Sequence, residues 1–231
     1  MKYILMDVEG TTTSISFVHD TLFPFAKTHL QSFIIKNLQS EDTKIILADT
    51  KKTILEEQRR IIDSDEAIEQ LSKWIDQDRK HPALKKIQGM IWKTGYETGE
   101  IKGHVYSDVP ESLKRWKNAQ LTLGIYSSGS IEAQIDLFKN SSFGNLALYF
   151  SNHFDTSIGH KREVQSYITI AKKLNLPSSE ILFLSDTKEE LDAAKSTGFQ
   201  TIQLVRLEKL PYAGHNQVQN FSEIPFYYPE T

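Results

Sequence analysis

A short apolar run, Tyr3 to Val8, breaks directly into Glu9-Gly10-Thr11-Thr12, and no other stretch constrains the chain so strongly. Bounded by a turn in this way, it reads as a buried strand. Similar runs return late in the chain at Leu121–Tyr126, Ile181–Leu184 and Thr201–Val205. Between them lie helix-like stretches: Pro110–Lys117, Ile131–Lys139, Lys161–Leu174 and Lys188–Ser196. Strands alternating with single helices imply a parallel sheet covered on both faces. Pro110 followed by Glu111 suits a first helical turn, and Gly198 suits a helix stop.

Residues 15–104 have a different texture. They are rich in Lys, Glu, Gln and Leu, and the strand-like runs disappear. Phe17, Leu22, Phe25, Leu30 and Phe33 fall near helical spacing, as do Ile54, Ile61 and Ile62, then Ile68, Leu71 and Ile75. The pairs Lys51–Glu56 and Glu57–Arg60 suit a solvated helix surface. The expected organisation is an α/β core of residues 1–14 plus 105–231, with a helical cap of 15–104 inserted after the first strand. Such an excursion is placed to cover that strand's C-terminal end, where open α/β sheets bind ligands. The tail from Leu210 to Thr231, with Pro211, Pro225 and Pro229, reads as an irregular segment packed on the core.

Composition removes several classes. The 27 Lys+Arg stand against 30 Asp+Glu, a net charge of −3, so nothing favours a polyphosphate backbone and no nucleic-acid partner is expected. There is no Cys, which excludes a disulfide framework and a thiolate zinc site and fits a reducing compartment. The start has no signal-peptide core, and no run of about 18 apolar residues is long enough to cross a bilayer. The expectation is a cytoplasmic protein without a membrane partner.

Four places can carry chemistry. Asp7-Val8-Glu9-Gly10-Thr11-Thr12 sets two carboxylates where a strand gives out, so that both can face one crevice. Such a pair can bind Mg²⁺ through hard oxygens, or act as nucleophile and general acid/base. An ordinary solvated turn has the same composition. Ser127-Ser128-Gly129-Ser130 precedes a helix and offers hydroxyls and N–H groups to an anion, or simply a Ser N-cap. Lys161, after Gly159-His160, can offset a phosphate and two carboxylates, or lie on the surface. His160 reads as a packing or hydrogen-bonding residue. Asp186 ends a further strand as a third carboxylate or as a helix N-cap. The macrodipole alone accounts for Glu189, Glu190 and Asp192. Each place has an ordinary explanation. Their order, with every element at a strand end or helix start, points to one edge of the sheet.

In these four motifs, from Asp7 to Asp186, the chain resembles the haloacid dehalogenase superfamily. It is similar more closely to the enolase-phosphatase (acireductone synthase) family of methionine salvage. That likeness rests on Asp7 through Val18, Gln88-Gly89-Met90-Ile91-Trp92-Lys93-Thr94-Gly95-Tyr96, Ile125 through Ser130, His153-Phe154-Asp155 through Lys161, and Leu182 through Asp186. Glu9 stands where the superfamily usually has Asp, which favours the narrower family. The resemblance implies a Rossmann-like parallel-sheet core with an inserted helical cap, Mg²⁺ as cofactor and a monomer. It implies Asp7 as phosphoryl acceptor and metal ligand, Glu9 as metal ligand, by side chain or backbone carbonyl, and general acid/base, and Asp186 as the remaining metal ligand. Ser127, Ser128 and Lys161 would bind the phosphate, Lys161 also neutralising the nucleophile. The implied substrate is 2,3-diketo-5-methylthiopentyl 1-phosphate, enolised and then dephosphorylated to the acireductone. Phe17, Phe23, Trp92 and Tyr96 are available to its methylthio end, although aromatics in helical stretches usually form core. A Mg²⁺-dependent phosphatase acting on another small ester uses the same motifs. A phospho-acceptor signalling module also combines acids, hydroxyls and a Lys, but the long insert argues against a site open to a partner kinase.

Overall fold

β1 (Tyr3–Met6) is apolar at all four positions and buried throughout, the pattern of a central parallel strand. The computed structural model describes residues 1–207, 211 and 214–224. From β1 the chain passes into helices α1 (Ile15–Phe17), α2 (Phe23–Lys36), α3 (Glu41–Gln58), α4 (Ser64–Asp76) and α5 (Pro82–Thr98). It returns through α6 (Val109–Asn118), β2 (Thr122–Tyr126), α7 (Ile131–Lys139), β3 (Asn152–Phe154), α8 (Val164–Leu174), β4 (Ile181–Ser185), α9 (Lys188–Ser196), β5 (Gln200–Leu204) and β6 (Asn216–Val218). Two compact units result, Met1–Ile15 with Lys102–Thr231, and Ser16–Ile101.

The first unit is a Rossmann-like α/β fold. Its sheet runs β3-β2-β1-β4-β5-β6, and every neighbouring pair is parallel. After β3 the chain crosses to the other side of β1, so the order reverses between β1 and β4. Open α/β sheets bind ligands outside the carboxyl ends of strands at such a switch. Met6 pairs with Ile125 on one side and Leu184 on the other, which brings Asp7, Ser127 and Asp186 to one edge. Tyr3, Leu5, Tyr126, Tyr167, Phe183, Leu191 and Phe199 are buried in one apolar cluster. β3 and β6 were not expected. Each has three residues, two of them polar, so neither leaves an apolar run in the sequence. β6 and the short 3₁₀ turn Phe221–Glu223 replace part of the irregular tail, while Leu210, Pro225 and Pro229 lie outside the described residues.

The second unit is helical and has its own apolar core, including Leu30, Ile34, Ile46, Ile54, Leu71, Trp74 and Ile87. Its helices stop and start on local signals. Ser40 caps α3, Asp63 and Glu66 form a capping box on α4, and Gly99 closes α5 with φ +78°. α3 ends at Gln58 with Arg59 left-handed, so Ile61 leaves the helical stripe and is exposed. For the same reason the anticipated Glu57–Arg60 pair does not form: Glu57 binds Arg79, and Arg60 binds Glu66 at 2.8 Å. Lys51 likewise donates to Ser64 Oγ at 2.9 Å, and it is Lys52 that faces Glu56. Phe23 and Trp92 stack 6.4 Å apart and pack against this core, and Phe17 and Tyr96 are buried. Among the described residues no helix is long and apolar enough to cross a membrane.

Candidate active site

The turn after β1 is held from within. The Asp7 N–H donates to the Leu184 carbonyl at 2.9 Å, carrying the sheet pairing one residue past β1. The N–H groups of Thr11, Thr12 and Thr13 converge on the Val8 carbonyl at 3.3, 2.9 and 2.9 Å, and all three threonines are buried. The Thr12 hydroxyl also lies 3.2 Å from the Asp7 carbonyl. Gly10 takes φ +72°, and a Cβ there would fall 2.1 Å from Asp186 Oδ2. Only glycine fits, because the Asp186 carboxylate fills the space a side chain would need.

Asp7 and Lys161 are both buried, and Lys161 Nζ lies 2.5 Å from Asp7 Oδ1 and 2.7 Å from Glu190 Oε2. The Val8 N–H also donates to Asp7 Oδ1, at 2.7 Å. Ser185 Oγ donates to Glu190 Oε2 at 3.1 Å. The expected helix start at Lys161 is corrected: α8 begins at Val164, and Lys161 sits in the preceding turn, where Glu163 N–H reaches the His160 carbonyl. The Tyr167 hydroxyl donates to the Lys161 carbonyl at 2.6 Å and fixes that turn on the core. Outside the helix, the lysine stem can run inward to the acids.

The serine turn is supported from behind. Ser130 caps α7 by accepting from Ala133 N–H, which leaves Ser127 and Ser128 on the turn itself. Ser127 is buried, and its Oγ accepts the Gly129 N–H at 3.1 Å. Ser128 is exposed. Buried Gln134 donates through Nε2 to the carbonyls of Gly129 and Phe154, both at 2.9 Å, so its Oε1 is left to accept from His153 Nδ1.

A cleft of about 410 Å³ lies wholly within the α/β unit, and Asp7, Glu9, Ser128, Lys161, Asp186 and Glu190 line it. Its charges are crowded. Burial, then the Asp7 charge, pushes the Asp186 carboxyl up to about 6, and the same two causes push Glu190 upward. Burial alone would lower the Lys161 ammonium, but the Asp7 and Glu190 carboxylates outweigh it and hold the group above its ordinary value. Lys161 and Arg162 thus line the cleft with four acids, Asp7, Glu9, Asp186 and Glu190, which leaves room for further positive charge. Among the described residues no three His, Asp or Glu side chains are grouped to chelate an ion by themselves.

The sequence-derived residues Asp7, Glu9, Ser128, Lys161 and Asp186 share this cleft, and Ser127 stands just behind it. Asp186 makes no side-chain cap on α9. Glu190 was missed, yet it occupies the buried face of α9 with Leu191 and Ala194, whereas Glu189 is exposed. That helical phase was available in the sequence. Gln134 and Arg206, which brace the two turns, carried no comparable signal.

The haloacid dehalogenase-like hydrolase family matches residues 1–198. The enolase-phosphatase E1 of Sulfurihydrogenibium sp. is 44% identical over 230 residues, covering 97% of each chain. That of Pseudomonas fluorescens is 46% identical over 224 residues, again with 97% of both chains covered. The crystal structure of the UTR4 protein of Saccharomyces cerevisiae superposes with a TM-score of 0.80 at 32% identity, covering 96% of this chain and 99% of that one. On these matches the chain belongs to the haloacid dehalogenase-like hydrolases, within the enolase-phosphatase E1 family.

Proposed function

We propose that this chain is a Mg²⁺-dependent enolase-phosphatase of methionine salvage. It converts 2,3-diketo-5-methylthiopentyl 1-phosphate to the acireductone 1,2-dihydroxy-3-keto-5-methylthiopentene and phosphate. The observation that carries this reading is the buried Asp7 carboxylate, 2.5 Å from Lys161 Nζ and in one cleft with Asp186 at the switch point of the sheet. A divalent cation fits the donor set. The carboxylates of Asp7 and Asp186 are hard oxygen ligands, and the Asp186 carboxylate abuts Gly10 and so the Glu9–Gly10 peptide. The Glu9 carbonyl is therefore the third donor we assign, which leaves its side chain for proton transfer. When bound, the ion supplies charge neutralisation to the phosphoryl oxygens.

In enolisation a proton leaves the carbon bearing the phosphate, its electron pair forms the C=C bond, and the neighbouring carbonyl oxygen takes up a proton. In the phosphatase step an Asp7 carboxylate oxygen bonds to phosphorus as the ester P–O bond breaks, and the departing oxygen takes a proton from Glu9. Water then attacks the phosphorus of the aspartyl-phosphate and gives its proton to Glu9, releasing phosphate and restoring Asp7. Lys161 balances Asp7 and the phosphate, and the Ser127 and Ser128 turn receives phosphate oxygens. Positioning and charge neutralisation are what phosphoryl transfer chiefly demands. The helical unit, inserted directly after the acid turn in the chain, is assigned the role of cap, and the chain that of a cytoplasmic monomer.

The test is a paired assay on the diketo phosphate with Mg²⁺, following enol absorbance and phosphate release together. Wild type should give both signals. Asp7→Asn should stop phosphate release while the enol accumulates. If this ester is inert and other phosphate esters are hydrolysed, the phosphatase site stands and the methionine-salvage assignment falls.

A further inference from the structure

The acid turn is held from outside as well as from within, and the outer hold is a single cation. Arg206 follows β5, and its side chain is only 8% exposed. Its Nε donates to the Thr11 carbonyl at 3.0 Å, and Nη2 donates to the same oxygen. Nη1 reaches both Asp108 carboxylate oxygens, at 2.9 and 2.8 Å. The guanidinium lies 4.1 Å from the centre of the Tyr106 ring and 5.0 Å from that of Phe221. Asp108 Oδ2 also accepts the Phe221 N–H at 2.6 Å, and Arg115 donates to the Phe221 carbonyl at 3.0 Å. Thr11 is thereby gripped at two points. Its carbonyl is bound to Arg206, and its hydroxyl accepts the Asp186 N–H at 3.0 Å.

We propose that Arg206 is a positioning residue for phosphoryl transfer, clamping the Asp7–Thr11 turn against Asp186 and tying it, through Asp108 and Phe221, to the segment after β6. The physical case is one of geometry. Gly10 touches the Asp186 carboxylate, so the spacing between the Asp7 and Asp186 sides of the cleft follows the position of Thr11. A planar guanidinium can satisfy a buried carbonyl, a carboxylate and two aromatic faces at once. A lysine ammonium, one point charge, cannot. Without the clamp a buried carbonyl loses its partners, and the turn shifts to regain them. Small displacements of reacting groups cost rate far more than binding.

The inference rests on Asp7 and Asp186 being the reacting and metal-binding carboxylates, so Asp7→Asn runs beside Arg206→Lys and Asp108→Asn. For each folded variant, kcat and KM are measured against Mg²⁺ concentration. The Mg²⁺-induced rise in unfolding temperature, read without substrate, gives a second measure. Arg206→Lys should lower kcat at least tenfold with KM within twofold. It should also raise the Mg²⁺ concentration that half-saturates the thermal shift about tenfold. Asp108→Asn, which keeps an acceptor for Phe221 but drops the charge that orients the guanidinium, should do the same three- to fivefold. If Arg206→Lys fails to fold, Asp108→Asn decides the matter. Wild-type kcat and Mg²⁺ half-saturation in the folded variants overturn the clamp while leaving the site reading intact. Full phosphate release by Asp7→Asn overturns the site reading itself.

Discussion

The two units treat charge in opposite ways. In the helical unit, ion pairs among the described residues lie at the solvent boundary: Lys27 and Asp76 are 46% and 54% exposed, and Lys86–Asp42 is similar. Its interior is mostly apolar, and the polar side chains buried there, Thr43, Thr50 and Gln88, are uncharged. The α/β unit buries Lys161 with Asp7 and Glu190, and Arg206 with Asp108, none of these side chains more than 16% exposed. Buried ion pairs are weak devices for stability, because desolvation offsets most of their attraction. Their placement at the carboxyl edge of the sheet is what the proposed chemistry requires. In the helical unit the same chain keeps its charges at the solvent boundary.

The sharpest way to break this contrast is to remove one charge from each unit. Lys161→Met leaves Asp7 and Glu190 buried without their cation, and the expected loss is about 3 kcal/mol at pH 7, with phosphate release abolished. A urea unfolding midpoint within error of wild type would show that the pair is not buried as described.

Asp186 sharpens the contrast from the other side. Its folded-state carboxyl is raised to about 6, chiefly by burial, from an ordinary 3.8. An acid whose folded pKa exceeds its unfolded one contributes stability that is present below about pH 4 and lost as pH rises through about 6. In the presence of a chelator, Asp186→Asn should therefore be more stable than wild type by roughly 2 kcal/mol at pH 8, the difference shrinking toward pH 4. Mg²⁺ should stabilise wild type and leave the variant nearly unmoved. A pH-independent difference would contradict the burial of this carboxyl.

The smallest effect belongs to the helical unit. Lys27→Ala should cost a few tenths of a kcal/mol, as solvated pairs do, and leave turnover within twofold. A loss several times larger would mean that this unit, too, depends on its charges.

What could be read from the sequence follows the same division. Asp7, Ser127 and Asp186 were visible because each ends an apolar run, and a run that stops at a polar residue marks both strand and edge. Lys161 was one basic residue among 27 until family resemblance selected it. Glu190 was hidden because acids in a first helical turn already have an explanation in the macrodipole. Its phase with Leu191 and Ala194 was the stronger signal. Arg206 could not be seen at all, since its value lies in a carbonyl, a carboxylate and two rings that meet only in three dimensions. β3 and β6 escaped because short, polar strands owe their pairing to neighbours rather than to their own residues.

The parallel sheet has a consequence for how the protein is made. β1 leaves the ribosome before the other strands of its sheet, yet one of its two partners is β4, and Asp7 meets Lys161 across 154 positions. The helical core, drawn from one contiguous stretch, has all its packing partners long before then. Pairing across such separations is slow, and domains tend to order as synthesis proceeds. The Asp7 carboxylate is thus made early and gains its partners late. A nascent chain, or one cut short by a premature stop before Lys161, carries Asp7 without the cation that pairs with it in the fold.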